Sequence, residues 1–226
     1  MLMVIVGALG WALFFYLLEK FNNRCSSDWN IRICAMVHGF IACRFIELNI
    51  DWPWDLTLFG KESMDWHYQV EIFTGSFFTF YTIYGLIAQN ESKLMTLHHV
   101  VSLICVSYPL LQGVSGYDAV IAIWLTELTN PSVHLRWMLR SLELHNSRLA
   151  VINEIVFVLV FFVNRMFLGT YVIYTLIVAE NTAWFVKIGA AAFQIINSLF
   201  SYQLAQMVVR KFVRKEEVRY SSVSPK

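Results

Sequence analysis

Long apolar stretches dominate the chain, and the polar breaks between them are too short for anything but turns and small loops. A helix needs roughly 20 apolar residues to cross a bilayer. Stretches near that length fall at 1–18, 31–48, 70–88, 94–111, 117–139, 150–178 and 183–209. The pattern predicts an all-α integral membrane protein with about seven transmembrane helices. The first stretch lacks a basic n-region and a small-residue cleavage pattern, so it is expected to be retained as a helix. The longest connection, 49–69, has room for a structured loop and no more, so any chemistry must be built between the helices. The expected division is an N-terminal transmembrane helix over 1–24, a helical bundle over 25–212 and a cytosolic tail over 213–226.

Composition agrees with the pattern. The 226 residues are 58% hydrophobic and 15% charged, with a mean hydropathy of +0.55, which excludes a soluble globular enzyme and leaves no basic surface for nucleic acid. Cys25, Cys34, Cys43 and Cys105 have no CxxC spacing and read as free thiols. Lysine and arginine in short loops set orientation. Lys20, Arg24 and Arg32 follow the first stretch, Arg136, Arg140 and Arg148 surround the end of the fifth, and Arg210, Lys211, Arg214, Lys215 and Arg219 follow the last. The 49–69 loop instead carries Asp51, Asp55, Glu62 and Asp65 against Lys61, with Trp52, Trp54 and Trp66 suited to a membrane interface. These loops place the N-terminus outside or in a lumen and the C-terminus in the cytosol, in the endoplasmic reticulum or the plasma membrane.

The polar residues inside the apolar stretches carry the chemistry. Arg165 lies in the middle of one of them. An arginine at a bilayer centre costs on the order of 2.5–3.5 kcal/mol on insertion scales, so it turns inward to a partner. At 1.5 Å per residue, Glu127 stands about 15 Å from the outer end of its own helix, close to the depth of Arg165, and the two are expected to pair. The pair is either a structural lock or a site that holds a lipid headgroup or a reacting carbonyl. Glu127, Asn130 and His134 share one face at i, i+3 and i+7, and Pro131 should loosen the helix beside them. Gln194, Asn197 and Ser201 repeat that spacing in the last helix. His98, Ser102 and Cys105 share a face of the fourth helix, with His99 about 100° away. The histidine pair could serve as general base or acyl carrier, or simply bond loop carbonyls at the interface. Arg44 and Glu47 read as an i, i+3 pair, and these polar positions together describe a polar-lined cavity. No HExxH or HxxHH pattern is present, and Cys34-x-x-x-His38 is a weak metal signal, so no metal and no cofactor are expected.

Three segments resemble the TLC domain: Leu97-His98-His99-Val-Val-Ser102, then Glu127-Leu-Thr-Asn130-Pro131-Ser-Val-His-Leu-Arg136-Trp137, then Phe161-Phe-Val-Asn164-Arg165. The likeness extends over nearly all of the chain after the first helix. It implies six of the helices forming a TLC-type bundle around a cavity for lipid, and it adds Asn164 beside Arg165 to the candidate site. In the ceramide synthase branch the adjacent histidines are catalytic, which implies that role for His98 and His99. That branch also places a His-Asp and a further Asp in the next helix, where this chain has Glu127 and Asn130 instead.

The leading expectation is therefore a protein that binds or senses lipid and influences membrane lipid composition. The alternatives are an acyltransferase using acyl-CoA as substrate, with His98 or His99 as base or acyl carrier, and a secretory-pathway cargo adaptor or chaperone. Membrane lipids, and acyl-CoA under the second reading, are the expected partners; no nucleic acid is expected, and no protein partner is indicated. Asn90-Glu91-Ser92 is the one N-glycosylation sequon, because Pro131 excludes Asn130-Pro131-Ser132. The topology puts Asn90 in the cytosol, so glycosidase treatment should leave electrophoretic mobility unchanged, and a shift abolished by Asn90→Gln would reverse the orientation.

Overall fold

The computed structural model describes residues 1–51, 54–88 and 92–223, with side chains to residue 210. Trp52 and the Asn90 sequon therefore lie outside the described residues, and Lys211, Arg214, Lys215 and Arg219 of the tail are described in backbone alone. The elements are α1 (Leu2–Phe21), α2 (Ser27–Asn49), a 3₁₀ turn (Leu56–Leu58), α3 (Asp65–Ala88), α4 (Lys93–Gln112), α5 (Gly116–Glu127), α6 (Asn130–Ser141), α7 (Arg148–Phe161), a π-helical turn (Phe162–Leu168), α8 (Gly169–Val178) and α9 (Trp184–Val223). No strand occurs among the described residues beyond one isolated bridge between Glu62 and Val114. The protein is an all-α membrane protein.

Four helical stretches are long and apolar enough to cross a membrane: Leu2–Phe21, Asp65–Ala88, Lys93–Gln112 and Arg148–Val178. The other expected spans are helical but more polar or shorter, and the sequence gives the reason in each case. Helix α2 carries Asp28, Arg32, Arg44 and Glu47, α5 and α6 are separate rods, and α9 carries Gln194, Asn197, Ser201 and Gln203.

Local signals set the ends. Ser26, Ser92 and Ser147 cap α2, α4 and α7, each side chain accepting the backbone N–H three residues on. Gly113, at φ +74°, closes α4 by returning its N–H to the Pro109 carbonyl at 2.8 Å. The loop before α3 is structured, as expected. Asp55 caps the 3₁₀ turn, and the Thr57 hydroxyl and backbone N–H hold its carboxyl below the usual carboxylate range. The Gly60 N–H is shared between the two carboxylate oxygens of Asp118, at 3.2 and 3.3 Å, and the Asp55 N–H donates to the Tyr117 oxygen at 3.0 Å.

Helix α5 runs through the middle, packed on α2, α3, α4, α8 and the π turn. Around it stand α2, α3, α4, α9, the α7–α8 rod and α6, with α6 closing the ring back onto α2. Helix α1 lies outside against α3 and α2, with Trp11 packed on Phe77. The core follows this plan: Val120, Ile121, Ile123 and Leu125 of α5 pack among Ile46, Val70, Val106 and Val172. Large apolar side chains such as Leu9, Ile87, Phe167 and Tyr174 point outward and are exposed. Lipid takes the place of water there, so packing and hydrogen bonds, rather than hydrophobic burial, hold the helices together.

Two of the long rods depart from plain α-helix. The expected fifth span breaks at Leu128 and Thr129, just before Pro131, which has no N–H to continue the ladder. The expected sixth span is continuous but widens into the π turn over Phe162–Leu168, where the Gly169 N–H reaches back to the Asn164 carbonyl. Helix α2 approaches the first break closely because residue 39 is glycine. A Cβ there would lie 3.2 Å from the Glu127 carbonyl oxygen and 3.3 Å from the Asn130 Cβ. Gly39→Leu should therefore destabilise the bundle by about 1–3 kcal/mol through overpacking, read as a lower apparent Tm in detergent, while a like substitution at Gly10, which has open space, should leave it unchanged.

Candidate functional site

The break between α5 and α6 is the floor of the site. With the helix interrupted, the Thr126 carbonyl is free to accept from outside its own ladder. Arg165 takes it: Nη2 donates to the Thr126 carbonyl at 2.9 Å and to Thr129 Oγ1 at 3.2 Å, while Nη1 donates to Asn197 Oδ1 of α9 at 2.9 Å. Its guanidinium also lies 5.3 Å from the Phe161 ring centroid. Both terminal nitrogens of the buried cation thus meet neutral polar groups, from α5, the break and α9, while its Nε is buried without a partner among the described residues. The expected direct contact between Glu127 and Arg165 is not formed, and the reason is geometric. The break exposes a backbone acceptor on the Arg165 side and leaves the Glu127 side chain toward α2.

Glu127 is held there by other partners. His38 Nδ1 lies 3.1 Å from Glu127 Oε2, and Asn130 Nδ2 donates to the same oxygen at 2.6 Å. A carboxylate oxygen accepts, so His38 carries its proton on Nδ1. Its other ring nitrogen, Nε2, lies 3.3 Å from Thr74 Oγ1 on α3, and the ring stacks on Phe77 with centroids 4.2 Å apart. Both nitrogens of His38 are engaged, so the Cys34-x-x-x-His38 spacing reflects packing, with both residues at 0% exposure.

Above this floor is a cavity of about 440 Å³ lined from α2, α3, α4, α6, α7 and α9. His98 and His99 face it from α4, with ring centroids 5.6 Å apart. His98 packs between Phe193 and Phe200 of α9, and His99 against Phe78 and Tyr81 of α3. The angular separation of the two histidines sends them to opposite neighbours while both stay on the cavity wall. His134 and Asn130 continue the wall, as their shared spacing with Glu127 predicts, although the helix between them is broken. Arg32 and Arg136 stand toward the end of the bundle where the cavity reaches the exposed residues Ser92 and Gln203. Arg32 donates to His134 Nδ1 at 3.4 Å and stacks over Trp137, and Arg136 lies 3.6 Å from Glu154. The remaining lining is apolar, including Phe157, Phe161, Phe200, Leu204 and Met207. One end of a ligand would meet charge and hydrogen-bond groups, and the rest of it aromatic and aliphatic side chains.

The other candidate residues brace the floor and do not line the cavity. Gln194 Nε2 donates to Thr170 Oγ1 at 2.8 Å and to the Arg165 carbonyl at 3.4 Å, covering an acceptor that the π turn leaves free. Asn197 orients Arg165, and Asn164 is buried with its amide nitrogen unpartnered among the described residues. The expected Arg44–Glu47 pair is present, and Glu47 also accepts from Trp124 Nε1 at 3.0 Å.

Sequence reasoning missed the part of the site on α2 and α3. The sequence marks His38 only as a polar residue of the second helix and as part of the weak Cys34-x-x-x-His38 spacing, and it assigns no role to Gly39, Thr74 or Glu71. The signal was present, because His67, Glu71 and Thr74 recur at i, i+4 and i+7 and all are buried. The π turn has no comparable mark in the sequence.

A membrane-embedded helical bundle with a polar floor and an amphipathic cavity defines the class: a multi-helix membrane protein with an interior site. The family model described as TLC domain matches residues 28–209. The chain belongs to the TLC domain family. Glu127→Ala would leave the His38 Nδ1–H and Asn130 Nδ2–H donors without their acceptor in an apolar interior, and it should cost about 1–3 kcal/mol for each donor left unsatisfied. Thermal unfolding in detergent checks this. Glu127→Gln should recover part of the loss, and an Ala variant as stable as the parent protein would refute the bracing role.

Proposed function

We propose that this protein binds or senses a membrane lipid in its central cavity and thereby influences membrane lipid composition. The observation that carries this is the cavity's division between a floor of Glu127, Asn130 and Arg165 and walls of aromatic and aliphatic side chains. A headgroup would sit on the floor or among Arg32, His134 and Arg136, with the acyl part along Phe157, Phe200 and Leu204. On this reading the chain crosses the membrane about seven times, N-terminus outside or lumenal and C-terminus cytosolic, in the endoplasmic reticulum or plasma membrane. The chain length and opening helix resemble TLC domain-containing protein 5, a small non-synthase member of the family. The partners are membrane lipids.

A second reading, an acyl-CoA-dependent acyltransferase, is favoured by one observation: both His98 and His99 face the cavity. Either imidazole would act as base or acyl carrier, with acyl-CoA as substrate.

Mass spectrometry of the purified protein separates the readings. Co-purifying lipid above the detergent background, reduced when Val133→Trp fills the cavity, is the expected result, and no lipid above background would defeat the binding reading. Long-chain acyl-CoA is then added while free CoA and intact mass are followed. CoA release or an acyl adduct that disappears in His98→Ala/His99→Ala would establish the acyltransferase.

A further inference from the structure

Glu71 belongs to neither the cavity nor the floor, and it is the most anomalous side chain in the bundle. It is 0% exposed on α3, and neither carboxyl oxygen has a hydrogen-bond partner among the described residues. None of the basic residues on the helices packed against α3, namely Lys20, Arg32, Arg44 and Lys93, lies within ion-pair distance of it. An ionised carboxylate with no counter-charge in an apolar medium is far costlier than a neutral one. The site therefore calls for a positive charge of its own.

The neighbours of Glu71 on its face of α3 are polar and buried as well. One turn toward the loop end, His67 is 1% exposed. The Met64 N–H donates to its Nδ1 at 3.0 Å, which puts the ring proton on Nε2, and that nitrogen is buried without a partner among the described residues. One turn the other way, Thr74 is 0% exposed and contacts His38 Nε2, and His38 Nδ1 contacts Glu127. His67, Glu71 and Thr74 thus form a row of buried polar side chains on one face of α3, with Cβ atoms about 5–6 Å apart, and at Thr74 the row meets His38 and, through it, Glu127.

We propose that Glu71 is a proton-binding site: its carboxyl, buried with no hydrogen-bond partner and no counter-charge among the described residues, carries a proton. The proposal stands apart from the lipid reading, because the proton site needs no ligand.

Infrared difference spectroscopy on the full-length protein in lipid nanodiscs, exchanged between H₂O and D₂O, tests it. The expected result is a carboxylic-acid carbonyl band that shifts in D₂O, is lost in Glu71→Gln and persists in Glu127→Gln. Gln is isosteric with the protonated acid, so Glu71→Gln is expected to fold. If it does not, Glu71→Asp serves, and a displaced acid band supports the site equally. The proposal is overturned by the lack of such a band in the parent protein, by a band that survives Glu71→Gln, or by a rise in Tm when sodium chloride replaces choline chloride together with no acid band. The last result would assign the site to a metal cation.

Discussion

The carbonyl of Thr126 would belong to its own helix in an uninterrupted α5–α6 rod, and Arg165 Nη2 would then lose the backbone acceptor that it has here. Breaking the helix at Leu128 and Thr129 frees that carbonyl. A bilayer supplies no water to an interrupted backbone, so irregular segments persist at membrane depth only where protein or a cavity satisfies them. Here the satisfaction is mutual: the guanidinium covers the freed carbonyl and Thr129, and α9 supplies Asn197 to the same fork. Arginine suits this position better than lysine, because its planar fork presents donors in fixed directions to acceptors on different helices.

The π turn is the counterpart of that break on the neighbouring rod. It carries Arg165 itself, and the carbonyl it frees is covered by Gln194, so the π turn closes the break on the adjacent rod and is in turn closed by a side chain of α9. Such turns often mark functional positions in helices. Together they set the depth of the cavity floor. On one side of that level α5 is a packed apolar column, and on the other the ring formed by α2, α3, α4, α6, α7 and α9 encloses space. The cavity exists because α6 leaves the axis that α5 occupies and joins the ring between α2 and α7.

The sequence made some of this legible and concealed the rest for physical reasons. Spans with few polar residues announced themselves by length alone, and Pro131 announced the break, since a missing N–H is a local property. Partner choice is a different matter. Helical spacing places Glu127 and Arg165 at one depth, but it says nothing about rotation around each axis, and a freed backbone carbonyl has no letter in the sequence. Arg165 therefore took Thr126 and Glu127 took His38, a residue 89 positions earlier. Glu71 was hidden by its context, one acid within a stretch rich in Phe, Thr and Tyr, and it stands out only once burial is known. His98 and His99 were legible as a pair, yet that both face the cavity follows from α4 lying between α3 and α9.

That placement also bears on the choice between binding and catalysis. An imidazole working as base or acyl carrier needs a group to orient it and stabilise its charged form, as the general logic of activated nucleophiles requires. Among the described residues, Glu127 is the carboxylate on the cavity wall, and its Oε2 already accepts from His38 and Asn130. His98 is wedged between two phenylalanine rings, and its Nδ1 has no hydrogen-bond partner among the described residues. Glu127 Oε1 takes no hydrogen bond from them either, and so stays open to a ligand donor. Glu127 Oε2 and His98 are thus held by separate neighbours. A polar headgroup, by contrast, needs only an acceptor at Glu127, a donor at Asn130 or the rim arginines, and apolar walls for what it is attached to. The cavity wall carries groups of each of these kinds.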